Sequence, residues 1–287
     1  MMTDIKNKGR KVKTGVVGWP IRHSLSPRLH GYWLRQYGIA AEYLAFEVRP
    51  EDLGPFLKTL AEKNIIGLNL TVPHKEIVLP FLDEVDEIAQ KIGAVNVITV
   101  QKDGRLFGTN TDGYGFLTNL KINAPQWTAE DGPAVIIGAG GAARAAIVAL
   151  LDAGISEIRL INRTRQRAES LAEIYDDPRI IVGDWQDRSD QLSGAALLVN
   201  TSVLGMLGRP PLAIDLSELP VSAVVYDIVY NPLETGLLKQ AKLRGNPYVD
   251  GLGMLLYQAV PAFRSWFGQE VSVDQKLRHY VRKGLAQ

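Results

Sequence analysis

The fold class of this chain can be inferred from one stretch of ten residues, Ala134-Val135-Ile136-Ile137-Gly138-Ala139-Gly140-Gly141-Ala142-Ala143. Its first four residues form an apolar run typical of a buried strand, and the alanine-rich run from Gly140 onward is typical of a helix. Between a strand and a helix, the pattern G-x-G-x-x-G/A indicates a dinucleotide site, because Gly138 permits a tight turn and Gly140 lets the backbone approach a pyrophosphate. Ala143 keeps the helix close to the strand, and the helix N-terminus presents N–H groups to the phosphates. A glycine turn without a nucleotide is the alternative interpretation.

Strands and helices alternate on both sides of this stretch. After it we predict strands at residues 157–161, 196–199 and 223–228, with helices at 165–174 and 234–243. Before it we predict strands at 14–18, 42–48 and 65–70, helices at 28–37 and 51–63, and a β-hairpin over 94–108 whose Asp103-Gly104 pair favours a primed turn. This alternation predicts an α/β protein with a parallel sheet and right-handed crossovers. Residues 123–132 are the expected linker, and residues 251–287 are expected to be helical.

The composition is that of an ordinary globular protein and argues against several classes of function. Of the 287 residues, 46% are apolar and 22% are charged, and a net charge of +1 gives no reason to expect nucleic acid or an anionic membrane as a partner. The chain has no cysteine, which excludes disulfides and thiolate chemistry and suits a reducing cytoplasm. Residues 1–13 are basic and polar without the apolar segment of a signal peptide, so we expect a loose tail. The four histidines lack the spacing of metal ligands, so no metal is expected.

The end of the strand at residues 157–161 indicates which dinucleotide binds. An NAD enzyme carries Asp or Glu at this point for the ribose 2′-OH, but this chain continues as Asn162-Arg163-Thr164-Arg165-Gln166-Arg167. A guanidinium can bind a 2′-phosphate through charge-assisted bonds, whereas a carboxylate would repel it. We therefore predict NADP(H), with Arg163 and Arg167 on the phosphate and Arg165 on a solvated helix face.

A lysine stands in an unusual position within residues 69–75. Lys75 follows Pro73 in what is predicted to be the first turn of a helix, where the helix dipole disfavours a cation. The position is explained if Lys75 takes part in chemistry or if a carboxylate neutralises it, and Asp112 is a candidate for that carboxylate. A solvent-exposed surface lysine is an equal alternative. Four polar stretches, residues 24–27, 69–75, 93–96 and 108–113, lie where predicted elements end, and ligands bind at such edges in α/β sheets.

Eight motifs in sequence order resemble the shikimate dehydrogenase family. They are Ser24-Leu25-Ser26-Pro27, Asn69 to Lys75, Gly93 to Asn96, Asn110-Thr111-Asp112-Gly113, Gly138 to Ala143, Asn162-Arg163-Thr164, Tyr230-Asn231-Pro232 and Asp250 to Ala259. The resemblance runs from about residue 14 to about residue 268. It implies a reversible, NADPH-dependent reduction of 3-dehydroshikimate to shikimate in aromatic amino-acid (chorismate) biosynthesis.

The resemblance also implies a role for individual residues. Lys75 and Asp112 would be the catalytic pair. The substrate-binding residues would be Ser24 and Ser26 on the carboxylate, Thr71, Asn96 and Gln258 chiefly on the ring hydroxyls, and Tyr230 near the carboxylate. The cofactor-binding residues would be Gly138, Ala139, Gly140, Gly141, Ala142, Asn162, Arg163, Thr164 and Arg167, with Thr201 and Met254 along the nicotinamide.

A two-domain organisation follows from the same resemblance. Residues 14–112, completed by residues 250–287, would form an α/β catalytic domain, and residues 113–249 a Rossmann domain, with the site in the cleft between them. The expected partner is a small-molecule substrate, and the expected state is a monomer or a homodimer. Two alternatives stay open: an NAD-using quinate/shikimate dehydrogenase, disfavoured by Asn162, and a non-catalytic dinucleotide-binding regulatory protein, disfavoured by the presence of both Lys75 and Asp112.

Overall fold

The computed structural model describes residues 11–285, which divide into two compact units. The first unit takes the chain up to Asn110 together with Val260–Ser272, and the second takes Thr111–Ala259 and the chain from Val273 onward. The expected linker at 123–132 lies inside the second unit rather than between the two. Its sequence looks loop-like, but Trp127 and Ala129 are buried in the apolar core of that unit.

A six-stranded mixed sheet forms the centre of the first unit. Its strands are β1 (Val12–Gly18), β2 (Ala41–Glu47), β3 (Ile65–Leu70), β4 (Glu84–Val85), β5 (Val97–Val100) and β6 (Leu106–Thr109). Their order is β2-β1-β3-β5-β6-β4, and β5 runs antiparallel to both of its neighbours. The carboxyl ends of β1, β3 and β6 therefore meet the start of β5 at one edge. Of the expected tail, residues 1–10 lie outside the described residues, whereas Val12 and Lys13 already belong to β1.

The helices of the first unit are short, apart from the first. They are α1 (Ser26–Gln36), α2 (Leu53–Leu57), α3 (His74–Ile77) and α4 (Glu87–Ile92), with 3₁₀ turns at Pro50–Asp52 and Leu79–Phe81. The helix predicted over 51–63 is wrong in length, since only Leu53–Leu57 is α-helical and residues 58–64 continue as turns. The hairpin between β5 and β6 is confirmed, but its turn is not the primed two-residue turn. Gln101 N–H donates to Arg105 O at 2.8 Å around a three-residue loop in which Gly104 has φ +87°.

A six-stranded parallel sheet forms the centre of the second unit. Its strands are β7 (Ala134–Ile137), β8 (Ile158–Ile161), β9 (Ile180–Gly183), β10 (Leu197–Asn200), β11 (Val224–Asp227) and β12 (Tyr248–Val249). Their order is β12-β11-β10-β7-β8-β9, so the strand order reverses between β7 and β10. Ligands of open parallel sheets bind at such a reversal, outside the carboxyl ends of the strands. The predicted parallel sheet is confirmed, and the short strands β9 and β12 are additions to it.

The helices of the second unit cover this sheet and extend into the C-terminal region. They are α5 (Asp112–Asn123), α6 (Gly141–Asp152), α7 (Arg165–Tyr175), α8 (Gly236–Arg244), α9 (Gly251–Phe267) and α10 (Gln275–Arg282), with a 3₁₀ turn at Asp190–Leu192. Helix α9 begins in the second unit, and its residues from Val260 onward belong to the first. The tail does not return to the first unit as a whole, because α10 belongs to the second unit, where Arg278 pairs with Asp250. No helix within residues 11–285 is long and apolar enough to cross a membrane.

An aromatic cluster in the core of the first unit encloses a histidine. His30 of α1 stacks on Tyr43 with 4.2 Å between ring centroids, and Phe263 and Trp266 lie within 5.9 Å. Burial lowers the pKa of His30 to about 3 and outweighs the opposing effect of the Asn69 amide. His30 is therefore a neutral core residue at physiological pH.

We expect His30 to destabilise the folded protein in acid. The unfolded chain protonates His30 near its ordinary pKa of 6.5, whereas the folded chain resists protonation down to about 3. Above pH 6.5 a neutral His30 has no effect on the free energy of unfolding. Below that pH it lowers the free energy of unfolding, by about 3 kcal/mol at pH 4.5. His30→Leu should reduce the pH dependence of urea unfolding between pH 7 and 4.5, whereas the exposed control His279→Gln should not. Parallel pH profiles for wild type and His30→Leu would contradict the prediction.

Candidate functional site

Two serines lie just beyond the carboxyl end of β1. The Ser24 hydroxyl accepts a hydrogen bond from the Ser26 N–H at 3.3 Å, and α1 begins at Ser26. This contact holds both side chains in the turn that enters the helix. Ser26 is buried, and its side chain lies next to the Tyr43 hydroxyl, where it partly offsets the rise in pKa that burial causes in that group.

The Tyr43 hydroxyl, on β2, lies between Ser26 and Asn69 of β3. It donates to Asn69 Oδ1 at 2.7 Å, and Asn69 Nδ2 in turn donates to the backbone carbonyl of Asn96 at 3.2 Å. Burial raises the pKa of Tyr43 well above its ordinary value, so the phenol stays a neutral donor. A continuous polar chain therefore runs from Ser26 to Asn96 across residues that lie far apart in the sequence.

Thr71 and Asn96 lie at the same edge of the first sheet. Thr71 follows β3, and its N–H donates to Val17 O of β1 at 3.0 Å. Asn96 precedes β5, and its backbone carbonyl accepts from the Leu70 N–H at 2.8 Å. The structure thus brings together the four predicted substrate residues of this unit: Ser24, Ser26, Thr71 and Asn96.

Lys75 lies at this edge as well. Its backbone carbonyl accepts from the Val95 N–H at 2.8 Å, next to Asn96. The neighbouring His74 donates through Nε2 to Val48 O at 2.8 Å, and burial lowers the pKa of His74, so the ring is neutral. The helix around Lys75 is shorter than expected, however. Because α3 has four residues and begins after Pro73, the helix dipole explains less of the lysine's position than its sequence context suggested.

In the second unit, Asp112 and Gln258 lie where α5 meets α9. Asp112 opens α5 and is buried, and the neighbouring Thr111 hydroxyl donates to Gln258 Oε1 at 3.5 Å. A Cβ at Gly115 would lie 2.7 Å from both Gln258 Cβ and Met254 O, so only glycine permits this close approach. The close approach of α5 and α9 brings together three predicted site residues, Asp112, Met254 and Gln258.

The glycine turn after β7 has the geometry that a dinucleotide requires. Gly138 has φ +120°, and a Cβ there would lie 2.6 Å from Thr201 Oγ1. Gly140 precedes α6, and a Cβ at that position would meet no atom within 4 Å. The turn leaves open space in front of the helix N-terminus, bordered by the partly exposed Ala139, Gly141 and Ala142. This arrangement lies at the strand-order reversal and fits a pyrophosphate.

The segment after β8 places three arginines in different environments. Asn162 Nδ2 donates to Thr164 O at 2.8 Å and so holds the turn before α7. Arg165 pairs with Glu169 at 2.7 Å and with Asp184 at 2.6 Å. Arg163 and Arg167 are exposed. Arg165 is thus held by two ion pairs on the protein surface.

Thr201 and Tyr230 follow β10 and β11, two successive strands on the same side of β7. Both the N–H and the hydroxyl of Thr201 donate to Ile137 O at 2.9 Å. The hydroxyl therefore closes the glycine turn from one side. Burial raises the pKa of Tyr230, which keeps its hydroxyl protonated and able to donate.

Sequence reasoning missed residues whose importance depends on burial. Tyr43 and Asn69 join the substrate-side residues, although Asn69 carried no predicted role within the polar stretch 69–75. The sequence feature that could have identified them is a polar side chain at an inward-facing position of a strand. Within residues 11–285, no group of three or more His, Cys, Asp or Glu side chains could hold a metal ion.

Family models match along most of the chain. The shikimate dehydrogenase substrate binding domain matches residues 16–98, and the shikimate / quinate 5-dehydrogenase model matches residues 123–202. The shikimate 5'-dehydrogenase C-terminal domain matches residues 251–275. The three matches follow the order of the motifs identified above.

Individual relatives agree with these models over nearly their whole length. The NADP(+) shikimate dehydrogenase of Paramagnetospirillum magneticum is 53% identical over 95% of this chain and 99% of its own. Shikimate 5-dehydrogenase from Thermus thermophilus, solved with NADP(H) and shikimate, has a TM-score of 0.85 at 38% identity, over 96% of this chain and 100% of that one. Quinate dehydrogenase from Corynebacterium glutamicum, solved with NAD, has a TM-score of 0.87 at 32% identity, over 94% of this chain and 98% of that one. The glycine turn, the polar edge of the first sheet and these similarities together place the chain in the shikimate dehydrogenase family.

Proposed function

We propose that this chain catalyses the reversible, NADP-linked reduction of 3-dehydroshikimate to shikimate, with Lys75 and Asp112 as its catalytic pair. The observation that carries the proposal is that five polar residues lie at one edge of the first sheet: Ser24, Ser26, Thr71, Asn96 and Lys75. That set supplies neutral donors and one cation, which suits a hydroxylated ring acid with a reactive carbonyl. The 53% identity to an NADP(+) shikimate dehydrogenase supports the same substrate and cofactor.

The residues of the second unit suit NADP(H). Gly138 and Gly140 leave room for the pyrophosphate at the start of α6. Arg163 and Arg167 would hold the 2′-phosphate, and Asn162 puts no negative charge beside it. NADPH, when bound, supplies the hydride for the carbonyl carbon.

Lys75 acts on the oxygen of that carbonyl. Negative charge develops on the oxygen during reduction, and the ammonium group of Lys75 stabilises it and donates the proton. Asp112 supplies the carboxylate partner that orients the lysine. In the reverse direction, Lys75 takes the proton from the hydroxyl of shikimate.

The remaining residues bind and orient the ring. The hydroxyls of Ser24 and Ser26 bind the substrate carboxylate, and Tyr230 donates to it. Thr71, Asn96 and Gln258 pair with the ring hydroxyls, because a buried polar group left without a partner costs about 1–3 kcal/mol. The chain has no cysteine, which suits a reducing cytoplasm. We propose that the protein acts there as a monomer or a homodimer.

Initial rates of NADPH or NADH formation at 340 nm test this proposal. Purified protein is assayed with shikimate or quinate, each with NADP+ or NAD+. We expect shikimate with NADP+ to give the highest kcat/KM by about tenfold or more, since mispaired polar groups are strongly rejected. An equal or higher value for quinate with NAD+ would favour the quinate-using alternative. No turnover with any pair would favour the non-catalytic one.

A further inference from the structure

A buried carboxylate lies at the carboxyl end of β11 and accepts three hydrogen bonds. Asp227 Oδ1 accepts from Asn200 Nδ2 at 2.9 Å and from the Val229 N–H at 3.0 Å, and Oδ2 accepts from the Thr235 hydroxyl at 2.6 Å. Asp227 is fully buried, and burial raises its pKa to about 6. It is thus ionised at neutral pH, with three neutral donors on its two oxygens.

Asn200 extends this network to the loop after β10. Its Oδ1 accepts from the N–H and the hydroxyl of Ser202 at 3.1 and 2.7 Å, and its Nδ2 also donates to Leu204 O at 3.0 Å. Asn200 therefore fixes the residues that directly follow Thr201. The Thr201 hydroxyl closes the glycine turn, so the position of this loop bears on the cofactor.

Asp227 also fixes the loop after β11, which carries Tyr230. Val229, whose N–H donates to Asp227, is the residue just before Tyr230. Thr235, whose hydroxyl donates to Asp227, is the residue that caps α8. The two loops touch each other directly as well, through Leu207 N–H to Asn231 O at 2.8 Å. Two loops that carry residues for two different ligands thus share one buried anchor.

We propose that Asp227 is a positioning residue that holds the Thr201 loop and the Tyr230 loop in the arrangement required for cofactor and substrate. The inference rests on the proposed function, because that function assigns Tyr230 to substrate and Thr201 to cofactor. Asp227 acts through these loops and does not itself touch a ligand. Neither loop has regular secondary structure around these residues, so the polar contacts supply its rigidity.

Replacing Asp227 tests this role. In Asp227→Ala the three donors lose their acceptor and both loops can shift. A displacement of about 1 Å can lower a rate by about a hundredfold, so we expect kcat/KM for shikimate to fall by about that factor. The KM for shikimate and the Kd for NADPH, measured by fluorescence titration, should both rise. In Asp227→Asn, Oδ1 can still accept two bonds and Nδ2 can donate to the Thr235 hydroxyl, so we expect recovery to within about threefold of wild type.

Asn246→Ala is the matched control at the opposite edge of the same sheet. Asn246 is buried and makes three bonds of its own, to the carbonyls of Pro220, Val221 and Ala223 at 2.8, 3.1 and 3.0 Å. Its loss should lower the thermal midpoint while leaving kcat, KM and Kd unchanged. If Asp227→Ala does not fold, Thr235→Val removes one of the three donors and Thr235→Ser retains it. The first should weaken substrate and NADPH binding, and the second should not.

The outcomes separate this inference from the proposed function. Wild-type protein that binds NADPH but does not turn over shikimate would contradict the function, while the NADPH affinities of the variants would still test the positioning role. A folded Asp227→Ala protein, or a folded Thr235→Val protein if the first does not fold, with wild-type KM for shikimate and wild-type Kd for NADPH would overturn the inference. Equal changes of stability and kinetics in Asp227→Ala and Asn246→Ala would overturn it as well.

Discussion

Lys75→Ala is expected to lower kcat by about a thousandfold, because general acid–base catalysis by a positioned side chain contributes about 10²–10⁴-fold. The variant loses both the cation beside the carbonyl oxygen and the proton donor. The Kd for NADPH should change little, since Lys75 belongs to the first unit and the dinucleotide motif to the second. Steady-state rates with shikimate and NADP+, together with NADPH fluorescence titration, measure the two quantities.

Lys58→Ala is the matched control for this prediction. Lys58 is an exposed lysine of the same unit, at the end of α2, so its removal makes the same change in net charge. We expect near wild-type kinetics for it. If Lys75→Ala lost turnover and NADPH affinity in equal proportion, the catalytic role would have to be abandoned in favour of a structural one.

The double variant Arg163→Ala/Arg167→Ala is expected to raise the KM for NADP+ by about a hundredfold. A hydrogen bond to a charged group contributes about 1.5–3 kcal/mol, and each 1.4 kcal/mol is a factor of ten. The KM for NAD+ should change much less, because that cofactor has no 2′-phosphate. The preference for NADP+ should therefore fall along with the affinity for it.

Arg165 provides an internal control two residues away from each of these arginines. It pairs with Glu169 and Asp184 on the protein surface, so Arg165→Ala should alter the KM for NADP+ by less than about twofold. The assignment fails if Arg165→Ala weakens NADP+ binding as much as the double variant. It also fails if the double variant weakens NAD+ and NADP+ binding equally.

The buried groups found in the structure show why part of the site could not be predicted. Lys75, Asp112 and the glycine turn belong to local motifs, which a single stretch of sequence can reveal. Tyr43 and Asp227 have no such motif, and Asn69 lies in one without a predicted role. The roles of all three depend on hydrogen bonds to residues distant in the chain. Asp227 bonds to Asn200 because the register of β10 and β11 places the two residues side by side. Tyr43 bonds to Asn69 because its long side chain reaches from β2 past β1 to β3.

The differences in secondary structure have a similar cause. Strand β12 (Tyr248–Val249) is too short to produce a recognisable pattern, and its pairing with β11 makes it a strand. Strand β9 (Ile180–Gly183) is as long as its neighbour β8, and its pairing with β8 identifies it. The helix expected over 51–63 ends at Leu57, and the chain continues in turns up to Asn64, which has φ +55°. The linker expected at 123–132 is instead anchored by the buried Trp127.

Local stretches of sequence are sufficient to identify the α/β class, the dinucleotide turn, the preference for NADP(H) and the family. These properties depend on neighbouring residues, namely a strand followed by Gly138 and Gly140, and arginines rather than a carboxylate after β8. The tertiary structure decided which distant residues share an edge and which polar groups lie buried beneath them. Register and strand order fix those distances, and neither can be inferred from the spacing of residues within one element.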